Sequence, residues 1–193
     1  MGFWGWFILF VVGFIAIVGM SEIKLDKKKR EMNAKLRSYS NFSPSQTIVG
    51  ENGKTGFAMD EERKQVALIS VETPELVVRI FNYEDVLSSE IFVDDNTISR
   101  TSRTSQVGGA LVGGLLFGGL GAVVGGLSGK SISSKKVEKI DLRITVNDTK
   151  NPLHDVNFLR FASGESKSAY IKAVGEARHW HGLVAIIIKS VDV

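Results

Sequence analysis

The sequence predicts an α+β protein in which a small antiparallel sheet or barrel is closed by a C-terminal helix, behind an N-terminal transmembrane helix. Three observations lead to this fold class. The chain opens with an uncharged apolar run, its middle alternates apolar and polar residues with period two, and its end carries apolar residues at helical spacing. A glycine-rich apolar run, predicted to be an inserted helical hairpin, interrupts the strands. At 193 residues, one compact domain plus accessory segments is expected.

The N-terminal residues 1–21 are predicted to form a membrane anchor. Nineteen uncharged residues run from Gly2 to Met20, and a helix of that length spans roughly 28 Å, close to the hydrocarbon thickness of a bilayer. A cleaved signal peptide would need positive charge before the run and an A-x-A-like site after it, and both are absent. The anchor residues are Phe3, Trp4, Trp6, Phe7, Ile8, Leu9, Phe10, Phe14 and Ile15.

A basic cluster after the anchor sets the expected orientation. By the positive-inside rule it places the rest of the chain in the cytoplasm and the N-terminus outside. These side chains fix the topology or contact anionic headgroups: Lys24, Lys27, Lys28, Lys29 and Arg30. Residues 22–45 are predicted to form a basic juxtamembrane helix, acting as a stalk, and a linker that contains Pro44.

Residues 46–193 are expected to form one domain. Its predicted strands alternate apolar and polar residues and cover 55–60, 65–72, 76–82, 85–95, 136–148 and 153–161. Residues 100–105 (RTSRTS) are expected either to contact phosphate or headgroups or to form a solvated loop. From Ser166 onward, apolar residues recur at steps of three and four, which predicts a helix that packs across the sheet.

Three motifs resemble those of a known group of proteins. Residues 83–86 (YEDV) open a strand, residues 107–130 form the glycine-rich run, and a strand ends in Asn147-Asp148. This combination resembles small bacterial and prophage-encoded proteins with a pleckstrin-homology (PH)-like domain, over roughly residues 65–190. The resemblance implies a PH-like sheet and, through the prophage setting, a role in superinfection exclusion or host–phage interaction. Members often carry an additional C-terminal helical domain associated with oligomerisation, which this chain lacks, whereas its N-terminal anchor is a departure from them.

The glycine-rich insertion, residues 107–130, holds ten of the twenty glycines of the chain. A single crossing of the bilayer would separate the strands before and after it, so we expect a hairpin with arms at 108–117 and 120–129 and both ends in the cytoplasm. Each arm reaches only about 15 Å, as a half-depth insertion or an oligomerisation surface. A hairpin buried against its own domain is the alternative. The residues expected in close helix packing are Gly109, Gly113, Gly114, Gly118, Gly121, Gly125 and Gly129.

Motifs for catalysis, cofactors or metals are absent from the sequence. Without cysteine there is no disulfide, thiolate metal site or cysteine nucleophile. The glycine spacings lack the strand and helix context of a P-loop or a dinucleotide fingerprint. On a helix, His179 and His181 lie about 200° apart and cannot share a metal, so packed or surface histidines are expected. We therefore expect neither an enzyme nor a cofactor.

The function expected from these features is that of a membrane-anchored, cytoplasm-facing, non-enzymatic binding or assembly module. Its expected partners are the lipid bilayer and either a second copy or another membrane or soluble protein. A formal net charge of +3 is too small to predict nucleic-acid binding, and no small-molecule substrate is indicated. The alternative is an oligomeric pore-forming or membrane-perturbing effector that uses the glycine hairpin.

Overall fold

The computed structural model describes residues 25–103, 137–160 and 167–191. Helix α1 covers 25–37, and a short 3₁₀ turn, Tyr83–Asp85, separates two strands. The other elements, in chain order, are β1 (Gln46–Val49), β2 (Thr55–Asp60), β3 (Gln65–Glu72), β4 (Glu75–Asn82), β5 (Val86–Val93), β6 (Asn96–Ser102), β7 (Lys139–Val146), β8 (Leu153–Arg160) and α2 (Lys167–Val191).

The strands form two antiparallel sheets of four strands each. Sheet A has the order β1-β2-β3-β4, and sheet B has the order β6-β5-β7-β8. Each neighbouring pair in sheet A is a simple hairpin, whereas β5 is flanked by β6 on one side and β7 on the other. Both sheets are antiparallel and a helix follows them, as the sequence predicts.

The main core lies between the two sheets and beneath α2. Alternation along each strand directs one set of side chains inward: Phe57 and Met59 of β2 and Val66 and Leu68 of β3 all belong to this core. Sheet B contributes apolar residues from β5, β7 and β8 to the same cluster. Because successive side chains point to opposite faces, the intervening residues of β2 and β3 point away from it.

Helix α2 closes the main core along one stripe. Its buried residues follow the predicted helical spacing: Ala173, Val174, Ala177, Trp180, Val184, Ile187 and Ile188. The Trp180 ring meets the ring of Phe57 edge-to-face, with centroids 5.7 Å apart. This contact joins α2 to sheet A, although most of the helix packs on sheet B. The predicted closing helix is therefore confirmed.

The sequence predicted that helix α1 would form a stalk. In the structure, this helix packs on the outer face of sheet A. Met32 and Leu36 are fully buried, at 0% exposure, against Ala58 and Ile69. We call this second cluster the outer core; it also contains Phe42, Val49 and Ala67. The apolar residues at 32 and 36 stand isolated in a very polar sequence. Their contact with the outer face of sheet A explains why they are apolar.

Gly56 lies on the same face of sheet A, where it permits the close approach of β1 to β2. A Cβ atom at this position would lie 2.9 Å from the carbonyl oxygen of Ile48, 3.3 Å from the Cδ1 atom of Ile69 and 3.5 Å from the sulfur of Met32. Such a contact with backbone cannot be relieved by a side-chain rotation. The absence of a side chain at residue 56 therefore lets β1 pack closely against β2, while Met32 of α1 lies at an ordinary contact distance.

Two strands were missed by the sequence pattern. β1 is only four residues long, and β6 has the polar sequence NTISRTS, of which residues 100–102 were expected in a loop. A strand of four residues is too short to show a period of two, and a polar strand carries no apolar alternation, so the pattern reveals neither of them.

The predicted anchor, residues 1–21, and the glycine-rich insertion lie outside the described residues. Within 25–103, 137–160 and 167–191, no helix is long and apolar enough to cross a membrane.

Candidate functional site

A basic stripe runs along α1 on the side facing away from the sheet. At about 100° per residue, Lys27, Arg30 and Arg37 cluster opposite Met32 and Leu36, the buried residues of the helix. Residues 25–37 include six basic and two acidic side chains. The stripe therefore gives α1 a positively charged outer surface directly after the apolar N-terminal run.

Two of the predicted headgroup and topology residues, Lys27 and Arg30, lie on this stripe, whereas Lys29 borders a cavity between α1 and the sheets. Lys27, Lys28, Lys29 and Arg30 are all exposed on α1, and Lys24 lies outside the described residues. Lys28 forms an exposed ion pair with Glu31, at 3.0 Å, a contact that contributes little to stability. Arg37 was missed, because a sequence alone does not reveal which side of a short polar helix is buried.

Arg103 holds the point where the chain leaves sheet B for the insertion. It directly follows β6, and its Nε and Nη2 atoms donate hydrogen bonds to the carbonyl oxygens of Val86 and Tyr83, at 2.8 and 2.7 Å. Because a guanidinium presents several donors in a rigid plane, it can bind two carbonyls at once. The end of β6 is thereby fastened to the turn that precedes β5.

Asp94 holds the point where the chain returns. Its Oδ1 atom accepts hydrogen bonds from the backbone N–H groups of Glu138 and Lys139, at 2.8 and 3.0 Å. Asp94 has a φ of +48°, a conformation that Asp tolerates better than most residues. Lys139 also pairs with Asp141 and Asp95, and hydrogen bonds to these two carboxylates raise the pKa of its ammonium.

The two attachment points lie at opposite ends of sheet B. Ser102 of β6 is aligned with Ser88 near the start of β5, whereas Ile140 of β7 is aligned with Val93 at its end. Since β5 has eight residues, the points are separated by about 23 Å along the strands. The chain therefore leaves sheet B at one end and re-enters it at the other.

His181 ties α2 to the strand that leads into the insertion. Its Nδ1 atom lies 2.8 Å from the hydroxyl of Ser89, and its Nε2 atom lies 3.0 Å from Ser99 and 3.5 Å from Thr101. Burial lowers the pKa of His181. Both ring nitrogens have hydroxyl groups as hydrogen-bond partners. The His181 side chain is therefore a structural link between β5, β6 and α2.

A second buried histidine links the two sheets. His154 of β8 lies with its Nε2 atom 2.8 Å from the carbonyl oxygen of Gly56 in β2, and burial lowers its pKa. His179, by contrast, is exposed. The histidine pattern in the sequence did not reveal these contacts, because their partners are 80 or more residues away along the chain.

A cavity of about 640 Å³ opens between α1, β1, β8 and the start of α2. Its wall combines apolar and charged side chains, among them Leu25, Lys29, Leu159 and Lys172. Asn157 also borders it, and the buried Oδ1 atom of this residue has no hydrogen-bond partner. Among the described residues, no group of three or more His, Asp and Glu side chains is arranged to hold a metal ion.

The remaining predicted site residues lie outside the described part of the chain. They are the anchor residues Phe3, Trp4, Trp6, Phe7, Ile8, Leu9, Phe10, Phe14 and Ile15, and the glycines Gly109, Gly113, Gly114, Gly118, Gly121, Gly125 and Gly129. The structure nevertheless locates the residues on either side of the insertion, Arg103 and Val137, at the ends of the described segments.

Comparison with known proteins supports the resemblance seen in the motifs. The family described as "Glycine zipper containing PH domain" matches residues 46–160, from the start of β1 to the end of β8. The "Immunity protein" of Bacillus phage SPbeta is 30% identical over 200 aligned positions, covering 95% of this chain and 96% of its own length. The "SPbeta prophage-derived uncharacterized membrane protein YomJ" of Bacillus subtilis (strain 168) is also 30% identical, with coverage of 95% and 85%. No solved structure matches.

Proposed function

Because the chain belongs to the family of glycine-zipper-containing PH domains, we propose that it is a prophage-encoded, membrane-anchored module that protects its host cell by superinfection exclusion. The module is non-enzymatic and faces the cytoplasm. The observation that carries the proposal is the similarity to a phage protein named for immunity, which extends over 95% of this chain and therefore includes at least part of the N-terminal run and of the insertion. The second relative is named as a membrane protein.

The anchor and α1 define how the module sits at the inner membrane. If residues 1–21 span the bilayer, only residues 22–24 separate the span from α1, a distance of about 10 Å when extended. The basic stripe of Lys27, Arg30 and Arg37 then lies within reach of anionic headgroups. Each basic residue near such a surface contributes about 1 kcal/mol to membrane binding. In this arrangement α1 lies along the membrane surface, and the outer face of sheet A faces the lipid.

The sheet topology favours a hairpin over a single crossing for the glycine-rich insertion. β6 and β7 are both hydrogen-bonded to β5, so the two strands lie on the same side of any membrane. Residues 130–138, when extended, reach about 30 Å, which exceeds the length of β5. A hairpin that starts near Arg103 can therefore return to Asp94 without unravelling the sheet. Packing of its glycines against a neighbouring helix supplies the assembly role.

Phage plating tests the function. Cells that express the full chain should resist infection by a related phage, and Gly113→Leu combined with Gly118→Leu should restore plating, because two bulky side chains prevent close helix contact. Val112→Leu combined with Leu116→Val is the matched control in the same segment and should leave resistance intact. Equal plating on cells with and without the protein would refute the role in exclusion.

Two further measurements test the membrane arrangement. Single cysteines at Ser45, Ser105, Ser131 and Ser163 should all react with reagent from the cytoplasmic side, which is a clean assay because the chain has no cysteine. Labelling of Ser131→Cys from outside would overturn the hairpin. If expression depolarises the membrane and the double glycine variant does not, the protein is a pore-forming effector and the assembly proposal is wrong.

A further inference from the structure

β4 is an edge strand of sheet A that has a neighbour on one side only. The sheet order ends at β4, which pairs with β3 along its whole length, from Glu75 to Asn82. Residues 76–81 are all partly buried, without a fully buried position. Within the described part of the chain, no strand pairs with the second hydrogen-bonding edge of β4, and such an edge is a template for another strand.

The backbone groups on this open edge belong to alternate residues. Glu72 and Glu75 close the β3–β4 hairpin around a two-residue connection, and hydrogen-bonded pairs recur at every second position from such a closing pair. The backbone N–H and C=O groups of Leu76, Val78 and Ile80 therefore point away from β3. These three residues also have their side chains on the outer face of the sheet, packed at the margin of the outer core.

The charges of β4 lie on the opposite face and are complementary in an antiparallel pair. Arg79 forms an ion pair with Glu72 on its own chain, and its Nη1 atom lies 3.4 Å from the hydroxyl of Ser70. Glu75 is exposed and has no ion-pair partner among the described residues. In a second, antiparallel copy of β4, an acidic residue near the start of one strand meets a basic residue near the end of the other.

We propose that β4 pairs with β4 of a second copy, antiparallel and with Val78 on the twofold axis. In this register the outward-pointing backbone groups of Leu76 and Val78 meet those of Ile80 and Val78 in the other copy, and the two apolar strips become continuous. Glu75 of each copy becomes the diagonal neighbour of Arg79 in the other copy, so the twofold axis generates two such pairs. The result is one eight-stranded sheet made of two copies of sheet A.

The symmetry of this dimer agrees with the placement of α1. A twofold axis perpendicular to sheet A leaves the outer faces of both copies on the same side. The two α1 helices and their basic stripes then point in one direction, so both copies can face the same membrane. The inference extends the assembly role proposed above, but it rests on the geometry of β4 alone.

Disulfide trapping in the full-length protein tests the register. Val78→Cys places two thiols on a hydrogen-bonded pair with Cα atoms about 5.5 Å apart, within the range that a disulfide bridges, so oxidation of isolated membranes with copper phenanthroline should give a covalent dimer. Glu75→Cys is the matched control: its thiol is exposed on the same strand but lies about 20 Å from its symmetry mate, and it should stay monomeric.

A mixed experiment tests the antiparallel direction. Leu76→Cys and Ile80→Cys should each remain monomeric when expressed alone and should cross-link when expressed together. Adding Glu75→Arg to the Val78→Cys variant should lower the dimer yield about three- to tenfold, because the new arginine of one copy then faces the like charge of Arg79 in the other. Adding Arg79→Glu as well reverses the pair and should restore the dimer yield.

The proposal is overturned if Val78→Cys cross-links no more than Glu75→Cys, or if Leu76→Cys dimerises alone, which indicates a parallel pair. It is also overturned if mass spectrometry finds a different protein in the Val78→Cys product. Because none of these assays involves phage, a dimer in cells that plate phage normally would contradict only the exclusion role.

Discussion

At the scale of single residues, the molecule fixes the ends of its insertion with side chains that bind backbone. Arg103 donates to two carbonyl oxygens, and Asp94 accepts from two N–H groups. Both side chains form hydrogen bonds with backbone groups at the ends of the strands. A hydrogen bond with a charged partner is stronger than one between neutral groups. The insertion is thus held at each end by one ionised residue.

Asp94→Ala should loosen the start of β7 and lower the free energy of unfolding by about 1–3 kcal/mol, because two N–H groups lose a charged acceptor. Asp94→Asn keeps an acceptor oxygen and tolerates the positive φ, so it should retain most of the stability. Hydrogen–deuterium exchange in the full-length protein, read at Glu138 and Lys139, measures the effect. Equal protection in the wild type and the alanine variant would contradict this role of Asp94.

At the scale of elements, α1 is held by tertiary packing rather than by its own sequence. Its surface is charged nearly all round, and only Met32 and Leu36 are fully buried. A short helix of this kind is marginal in water on its own, so the outer face of sheet A supplies most of its stability. The same packing directs the basic stripe outward.

Leu36→Ala should destabilise the domain by about 2–5 kcal/mol, the range for a leucine removed from a packed core. Ala34→Ser, on the exposed side of the same helix, is the control and should change stability by less than about 0.5 kcal/mol. Thermal unfolding of the full-length protein in detergent micelles, followed by circular dichroism, provides the comparison. If the two variants unfold at the same temperature, α1 does not contribute to the stability of the domain.

At the scale of the whole molecule, the buried His154 and the partly buried His181 connect the layers. His154 joins β8 to β2 across the sandwich, and His181 joins α2 to β5 and β6. Burial lowers the pKa of both below the value of 6.5 that an unfolded chain has. The unfolded chain therefore binds more protons than the folded one as the pH falls through that value, and acid favours unfolding.

The free energy of unfolding should be fully maintained above about pH 7 and should fall below about pH 6.5 by up to about 1.4 kcal/mol per pH unit for each histidine. Melting curves between pH 8 and pH 5.5 measure this dependence. His181→Gln should reduce the slope, whereas His179→Gln, exposed on the same helix, should leave it unchanged. An unchanged slope in His181→Gln would show that this ring does not contribute.

The class of fold and most of its elements follow from the sequence pattern. Alternation specified β2 and β3 and located β4, β5, β7 and β8, and helical spacing specified α2, because each of these elements buries one face and its apolar period records that burial. The resemblance in residues 83–86, 107–130 and 147–148 pointed to the correct family. β1 was missed because four residues are too few to show a period, and β6 was missed because its sequence is polar on both faces.

The tertiary structure alone decided which surfaces meet. The burial of Met32, the pairing of β6 and β7 with the same strand, and the contacts of His181 all depend on partners distant in the chain. A sequence pattern reports whether a side chain avoids water, but it does not report which surface covers it. The basic stripe, the separation of the insertion's ends and the open edge of β4 therefore become visible only once the sheets are assembled.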